Sequence, residues 1–170
     1  MNVIELARAL LQEAAVGVVI TDAQPSKPGP VILYANSAFG VLTGRDVNEL
    51  IGLTPRFMQG RETRRSSLDD FARSLLAGER FHGYLTNYRG DGTKYRVEID
   101  CRPICGPDGR IDYFMSFERE VVRRIGRPAS GFGGRYEPLT VSNELLSGPV
   151  RALGAFASAD HDLSTTSKFL

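Results

Sequence analysis

The sequence predicts an α+β domain: a five-stranded antiparallel sheet with short helices on one face and a helical extension at each end. Three observations carry this. Two short apolar runs near the start are followed by capped helical turns. After Gly78 the apolar period changes from helical to two. Two turns of Asp-Gly type, Arg89–Gly92 and Gly106–Gly109, then join alternating segments as hairpins.

Taken in order, residues 2–15 set Val3, Ile4, Ala7, Leu10, Leu11 and Ala14 at helical spacing, which predicts an amphipathic helix. Val18–Thr21 reads as a strand, and the proline-rich stretch Ala23–Pro30 as a loop. Val31–Tyr34 is a second strand. Asn36–Thr43 is a short helix capped by Asn36 or Ser37, and Asp46–Ile51 is another helical turn, stopped by Gly52. Ser66–Leu76 carries the stripe Leu68, Phe71, Leu75 and Leu76, with Gly78 as its C-terminal stop. Phe81–Tyr88, Lys94–Pro103 and Asp112–Arg119 are the three strands of a meander. The Gly- and Arg-rich stretch after Glu120 reads as a linker, and 141–157 as helical with a break at Gly148-Pro149. The Ser/Thr/Asp-rich end is expected to be mobile. The domain division is therefore 1–15 helix, 16–120 core, 121–137 linker and 138–170 C-terminal extension.

Composition narrows the function. A hydrophobic share of 42% with 24% charged residues is that of a folded domain, not a disordered chain. The net charge of +1 gives no field that would draw nucleic acid or an anionic membrane. No apolar run approaches the ~20 residues of a membrane span. Cys101 and Cys105 lack the partners of a zinc site and read as reduced thiols, which fits the cytoplasm. His82 and His161 are isolated. No nucleophile–base pair, metal spacing or phosphate loop suggests an enzyme.

One segment narrows the fold further. Residues 48–60 read Asn-Glu-Leu-Ile-Gly-Leu-Thr-Pro-Arg-Phe-Met-Gln-Gly. This resembles the Gly-x-Asn-Cys-Arg-Phe-Leu-Gln-Gly signature of the LOV (light-oxygen-voltage) subclass of PAS domains, through Gly52, Arg56, Phe57, Gln59 and Gly60. Val18–Asp22, Tyr34–Phe39 and Asn87-Tyr88 followed by Asp91-Gly92 and Tyr95 resemble other parts of the same family. The likeness covers residues 16–120 and implies the PAS fold, a bound flavin and a signalling role.

The resemblance implies a set of flavin contacts: Thr21, Thr54, Arg56, Gln59, Arg73, Asn87, Val97 and Glu118. The expected flavin is FMN, with FAD or riboflavin as alternatives. Arg56 suits a phosphate because its guanidinium fork matches phosphate oxygens. The family's second arginine falls at Ala72; Arg73 is adjacent, and Arg61, Arg64 and Arg65 are near. Gln59 and Asn87 offer amides that both donate and accept, and Asn87 faces inward with Leu85 and Gly83. Their plainer reading is a loop contact for Gln59 and a backbone or water contact for Asn87.

The departures are equally specific. Pro55 stands at the position of the photoactive cysteine, so no thiol adduct forms there. Thr54 replaces an asparagine, Val97 a second asparagine and Glu118 a glutamine. Glu118 shares the inward face with Phe114 and Ser116. Buried, it is expected to be protonated or cation-bound; frayed, it sits in water near Arg96 or Arg119. Cys101 faces inward too, on a different wall from Pro55, and reads as a small core residue.

The expected function is a flavin-binding sensor without adduct photochemistry, signalling by flavin photoreduction and altered dimer contacts. The alternatives are a cofactor-free PAS module for dimerisation or partner binding, and a Cys-to-Pro variant of a blue-light receptor. The terminal helices must bury their stripes, which predicts a homodimer; folding back on their own sheet is the other outcome. Output would pass through the extensions or a separate effector protein.

Overall fold

A computed structural model describes residues 2–24, 27–126, 134–139 and 148–157. Its order is α1 (Val3–Leu11), β1 (Gly17–Asp22), β2 (Ile32–Ala35), α2 (Ser37–Thr43), α3 (Val47–Leu50), a 3-10 turn over Pro55–Met58, α4 (Arg65–Ala77), β3 (Phe81–Tyr88), β4 (Lys94–Cys105), β5 (Ile111–Arg123), β6 (Tyr136–Pro138) and α5 (Gly148–Ala152). The antiparallel sheet runs β2-β1-β5-β4-β3, with β6 added to β5. This is the predicted α+β fold, with one strand beyond the five expected.

Side-chain alternation gives the sheet two buried faces. Inward, Leu85, Val97, Ile99, Cys101 and Phe114 pack under Leu42 of α2 and Leu68, Phe71 and Leu75 of α4. Leu76, read as part of that stripe, is 74% exposed, because the stripe has turned off the sheet by that point. Outward, Val18, Ile20 and Phe117 pack against Ala7 and Leu11 of α1 and Val150, Ala155 and Phe156 from α5 and its exit.

The α1 stripe is therefore covered within the chain at Ala7, Leu11 and Ala14, the folding-back outcome, but not at Leu10. Leu6 and Leu10 on α1 do stay about half exposed.

Asn36 sets the junction between β2 and α2. It is fully buried; its side-chain oxygen accepts from Val18 N and Phe39 N, and its amide donates to Leu11 O and Val16 O. One residue thus caps α2 and ties α1 and β1 to it. Gly44 and Gly78, at φ 62° and 69°, close α2 and α4 in the left-handed conformation glycine permits.

Two stretches differ from the sequence reading. Val121–Arg123 and Tyr136–Pro138, read mostly as linker, pair as β5 and β6. The Gly/Arg composition hid this: Val121 is buried and Tyr136 stacks on Tyr84, with centroids 4.7 Å apart. α5 begins at Gly148 with Pro149 in its first turn, where a missing N–H costs nothing. The expectations for 127–133, 140–147 and 158–170, including the mobile end, fall outside the described residues.

On the outward face Asp100 is fully buried and accepts five hydrogen bonds. Four come from Arg80 and Arg102 at 2.9–3.1 Å, and one from Phe156 N at 2.7 Å. Arg80 also donates to Ala157 O, and Arg102 to Leu153 O and Gly154 O. Phe156 sits at φ 62°, unusual for an aromatic residue, with its ring 4.1 Å from the Arg119 guanidinium. Burial alone would raise the Asp100 carboxyl, but the two arginines and Phe156 N–H hold it below the ordinary range. Glu98 is lowered in the same way: hydrogen bonds from His82 and Arg119 outweigh its burial.

Candidate functional site

A cavity of about 390 Å³ lies between the inward face of β1, β4 and β5 and the cover formed by the β1–β2 loop, the 3-10 turn and α4. That size falls within the ~300–1,000 Å³ usual for small-molecule sites. Val19, Leu68, Phe71, Leu75 and Phe114 give it apolar walls, and Thr21, Thr54, Gln59 and Ser116 add hydroxyls and an amide. Lys27, Arg56 and Arg65 line it and are exposed, so positive charge collects at the mouth. Glu118 lines it and is buried at 4% exposure.

The fold fixes these positions for local reasons. Pro55 opens the 3-10 turn, where its missing N–H is harmless, and so turns Arg56 toward the loop. Gly29 lies at φ 104° beside the Arg56 guanidinium: a Cβ there would stand 3.8 Å from Arg56 Nε. Gly60 lets the chain pass under Tyr88, whose hydroxyl accepts from Glu62 N. Thr21 donates to Asp22 O.

Glu118 and Cys101 are the titratable groups of the floor. Burial pushes the Glu118 carboxyl up to about 8, and its buried Oε2 has no partner among the described residues. The expectation of a fraying strand with a hydrated Glu118 is corrected, because β5 continues to Arg123. Burial pushes the Cys101 thiol up to about 12, beyond what a hydrogen bond with Ser116 offsets. Cys101 and Pro55 line the same cavity, from β4 and the 3-10 turn respectively.

Of the residues singled out from the sequence, Thr21, Thr54, Pro55, Arg56, Gln59 and Glu118 come together here. Arg73 does not. One position along a helix is about 100° of rotation, which turns its side chain to Asp70 at 3.0 Å, 75% exposed. Ala72 takes the cavity side instead. Asn87 is buried but outside the lining, its amide facing Met58 Sδ at 3.9 Å. Val97 packs in the core beside it. Lys27 was not foreseen; a lone lysine in a proline-rich loop carries no pattern. Arg65 was one of several alternatives.

The test for a flavin-like group rests on the orphaned Glu118 Oε2. A buried carboxyl whose Oε2 has no partner among the described residues, behind apolar walls and below a cationic mouth, fits a planar ring bearing hydrogen-bonding edges and an anionic tail. Among the described residues no group of three or more His, Cys, Asp or Glu is arranged for a metal, and no helix is long and apolar enough to cross a membrane.

A family model described as PAS domain matches residues 16–122. The bacterioopsin transcriptional activator of Halobacterium salinarum is 32% identical over 116 residues, covering 68% of this chain and 17% of that protein. Phototropin-1A of Oryza sativa subsp. japonica is 34% identical over 122 residues, covering 72% and 13%. The solved light state of the blue-light photoreceptor Aureochrome1 LOV matches with a TM-score of 0.59 at 30% identity, over 69% of this chain and 89% of that one. The chain thus spans less than a quarter of those two curated relatives.

Proposed function

The chain belongs to the PAS domain family, and we propose that it is a flavin-binding sensor module of the LOV type in which Pro55 replaces the photoactive cysteine. One observation carries this reading: a cavity of small-molecule size whose floor holds the unpartnered Glu118 and whose mouth gathers Lys27, Arg56 and Arg65. FMN suits it best, since a phosphate tail meets those cations; riboflavin lacks that charge, and FAD carries a second nucleotide. Bound flavin would supply blue-light absorption and electron acceptance, photoreduction being the expected light response.

The protein's own groups then divide the work. Arg56, with Lys27, holds the anionic tail by charge-assisted hydrogen bonds, while Arg65 at the same mouth pairs with Asp69. Thr54 and Gln59 offer groups to the polar chain, and Thr21, Ser116 and Glu118 to the ring. Pro55 supplies no nucleophile and no N–H, and Cys101 stays a thiol because its pKa is pushed up to about 12. The output passes from the sheet to α1 and α5, which cover its other face, and on to dimer contacts or a separate effector. Leu6 and Leu10, one turn apart on α1, are the dimer surface; light scattering that reads a monomer at every concentration counts against it.

A second reading, a cofactor-free module, is favoured by Asn87 and Val97 lying outside the cavity lining. The absorption spectrum of the purified, desalted protein decides. A structured blue band, or its appearance on adding FMN, supports the flavin reading; a colourless protein that takes up no FMN rejects it. Bleaching to an adduct form under blue light would refute the assignment of Pro55.

A further inference from the structure

We propose that Glu118 couples occupancy of this cavity to a proton: the site accepts its ligand with Glu118 as the neutral acid, donating to an acceptor on the ligand ring, and gives up ligand affinity when Glu118 ionises. This rests on the flavin reading and deepens it.

Geometry carries the proposal. Glu118 stands on the inward face of β5, across from Gly17 on β1 and Ile99 on β4. Glycine leaves its β1 neighbour without a side chain: a Cβ there would lie 3.2 Å from Glu118 O and from the Phe39 ring. The carboxyl's Oε2 is buried without a partner among the described residues. Such a group is stable only neutral, or beside a cation.

The surrounding charges do not supply that cation. β4 contributes Tyr95 and Cys101, both neutral and pushed further up by burial and by Glu118 itself. β1 presents Val19 and Thr21, β3 the Asn87 amide, and Ser37–Thr43 of α2 holds no ionisable residue. Arg89 lies over the Tyr95 ring and pairs with Glu120 at 2.5 Å through Nη2, its buried Nη1 without a partner among the described residues; Arg119 and His82 turn outward to Glu98. Across the cavity, Arg65 pairs with Asp69, while Arg56 and Lys27 stay at the exposed mouth. A ligand acceptor that the neutral acid can donate to would meet only lone pairs on the carboxylate, so binding and protonation favour one another.

The test is the dissociation constant of FMN, read by fluorescence quenching between pH 6 and 9.5 for the wild type and Glu118→Gln. The wild type should hold a constant affinity at low pH and lose roughly tenfold per pH unit above the Glu118 titration. The Gln variant, a permanent donor, should follow only the ligand's own titration. Calorimetry of the wild type in two buffers of different ionisation enthalpy should show uptake approaching one proton per FMN at high pH. That measurement stands alone if the variant does not fold. Parallel pH profiles for the two proteins, or no proton uptake by the wild type, would overturn the proposal and leave the flavin reading intact. No FMN binding by either protein at any pH rejects the flavin reading and this inference with it.

Discussion

Replacing Asp100 with alanine takes one carboxylate from beneath five donors. Removing one partner of a buried ion pair costs about 3–5 kcal/mol, because the other is left uncompensated. Here the Arg80 and Arg102 side chains are 27% and 28% exposed, so both can swing partly into water. The Phe156 N–H is buried and has no such escape; a stranded buried donor costs ~1–3 kcal/mol. These offsets place the loss near the low end, about 3 kcal/mol. For a chain of this size, at ~2–4 °C per kcal/mol, Tm falls by about 6–12 °C. The loss is also local: without Asp100, nothing orients the arginines toward the carbonyls of Leu153, Gly154 and Ala157. Trypsin should then cut faster after Arg151 well below the melting range. Asp100→Asn, which keeps one acceptor oxygen, should lie between. A loss under about 1 kcal/mol with Arg151 still protected would refute the reasoning.

Asn36→Ala removes a cap and three further buried hydrogen bonds and should cost about 3 kcal/mol or more, read from a urea midpoint. Gly60→Ala sets a methyl 2.5 Å from Tyr88 Cδ2 and should cost ~1–3 kcal/mol, with Phe57→Leu as a control of similar location. The Glu118 carboxyl is raised in the folded state, so the native protein keeps this proton longer than the unfolded one. Stability should therefore fall as pH rises from ~4.3 to about 8, by up to ~1.4 kcal/mol per unit, and Glu118→Gln should abolish that slope in urea melts. Asp100 and Glu98 are lowered and act oppositely, their stabilisation being lost on acidification below the ordinary carboxylate range. Arg56→Gln should weaken FMN binding by about 5–30-fold and leave riboflavin unchanged, since only the phosphate meets the guanidinium.

The meander was the most legible part of the sequence. Alternation placed Phe81–Tyr88 as a strand, and Gly92 and Gly109 take the positive φ their turns require. Those cues act between neighbours in the chain. Asn36 was half legible: its cap role is local, but its bonds to Leu11 and Val16 reach 25 and 20 residues back and leave no periodic trace. Asp100 was not legible at all. On an alternating strand it reads as a solvated position, and only Arg80, Arg102 and the distant Phe156 make it a buried one. In the cavity, motif position found Arg56 and Glu118, but adjacency misled at Arg73, because a helix turns a neighbour away. Asn87 was rightly read as inward, yet inward is a whole face of the sheet, and only part of that face opens to the cavity.

The placement of α1 and α5 has a practical consequence. Both lie on the sheet face opposite the cavity and touch one another there. A bead, surface or second folded unit attached through either helix is held behind the sheet, and the mouth at Arg56 continues to face the solution. Immobilisation through these segments should therefore leave the kinetics of ligand entry those of the free protein, while attachment through the β1–β2 loop would obstruct it.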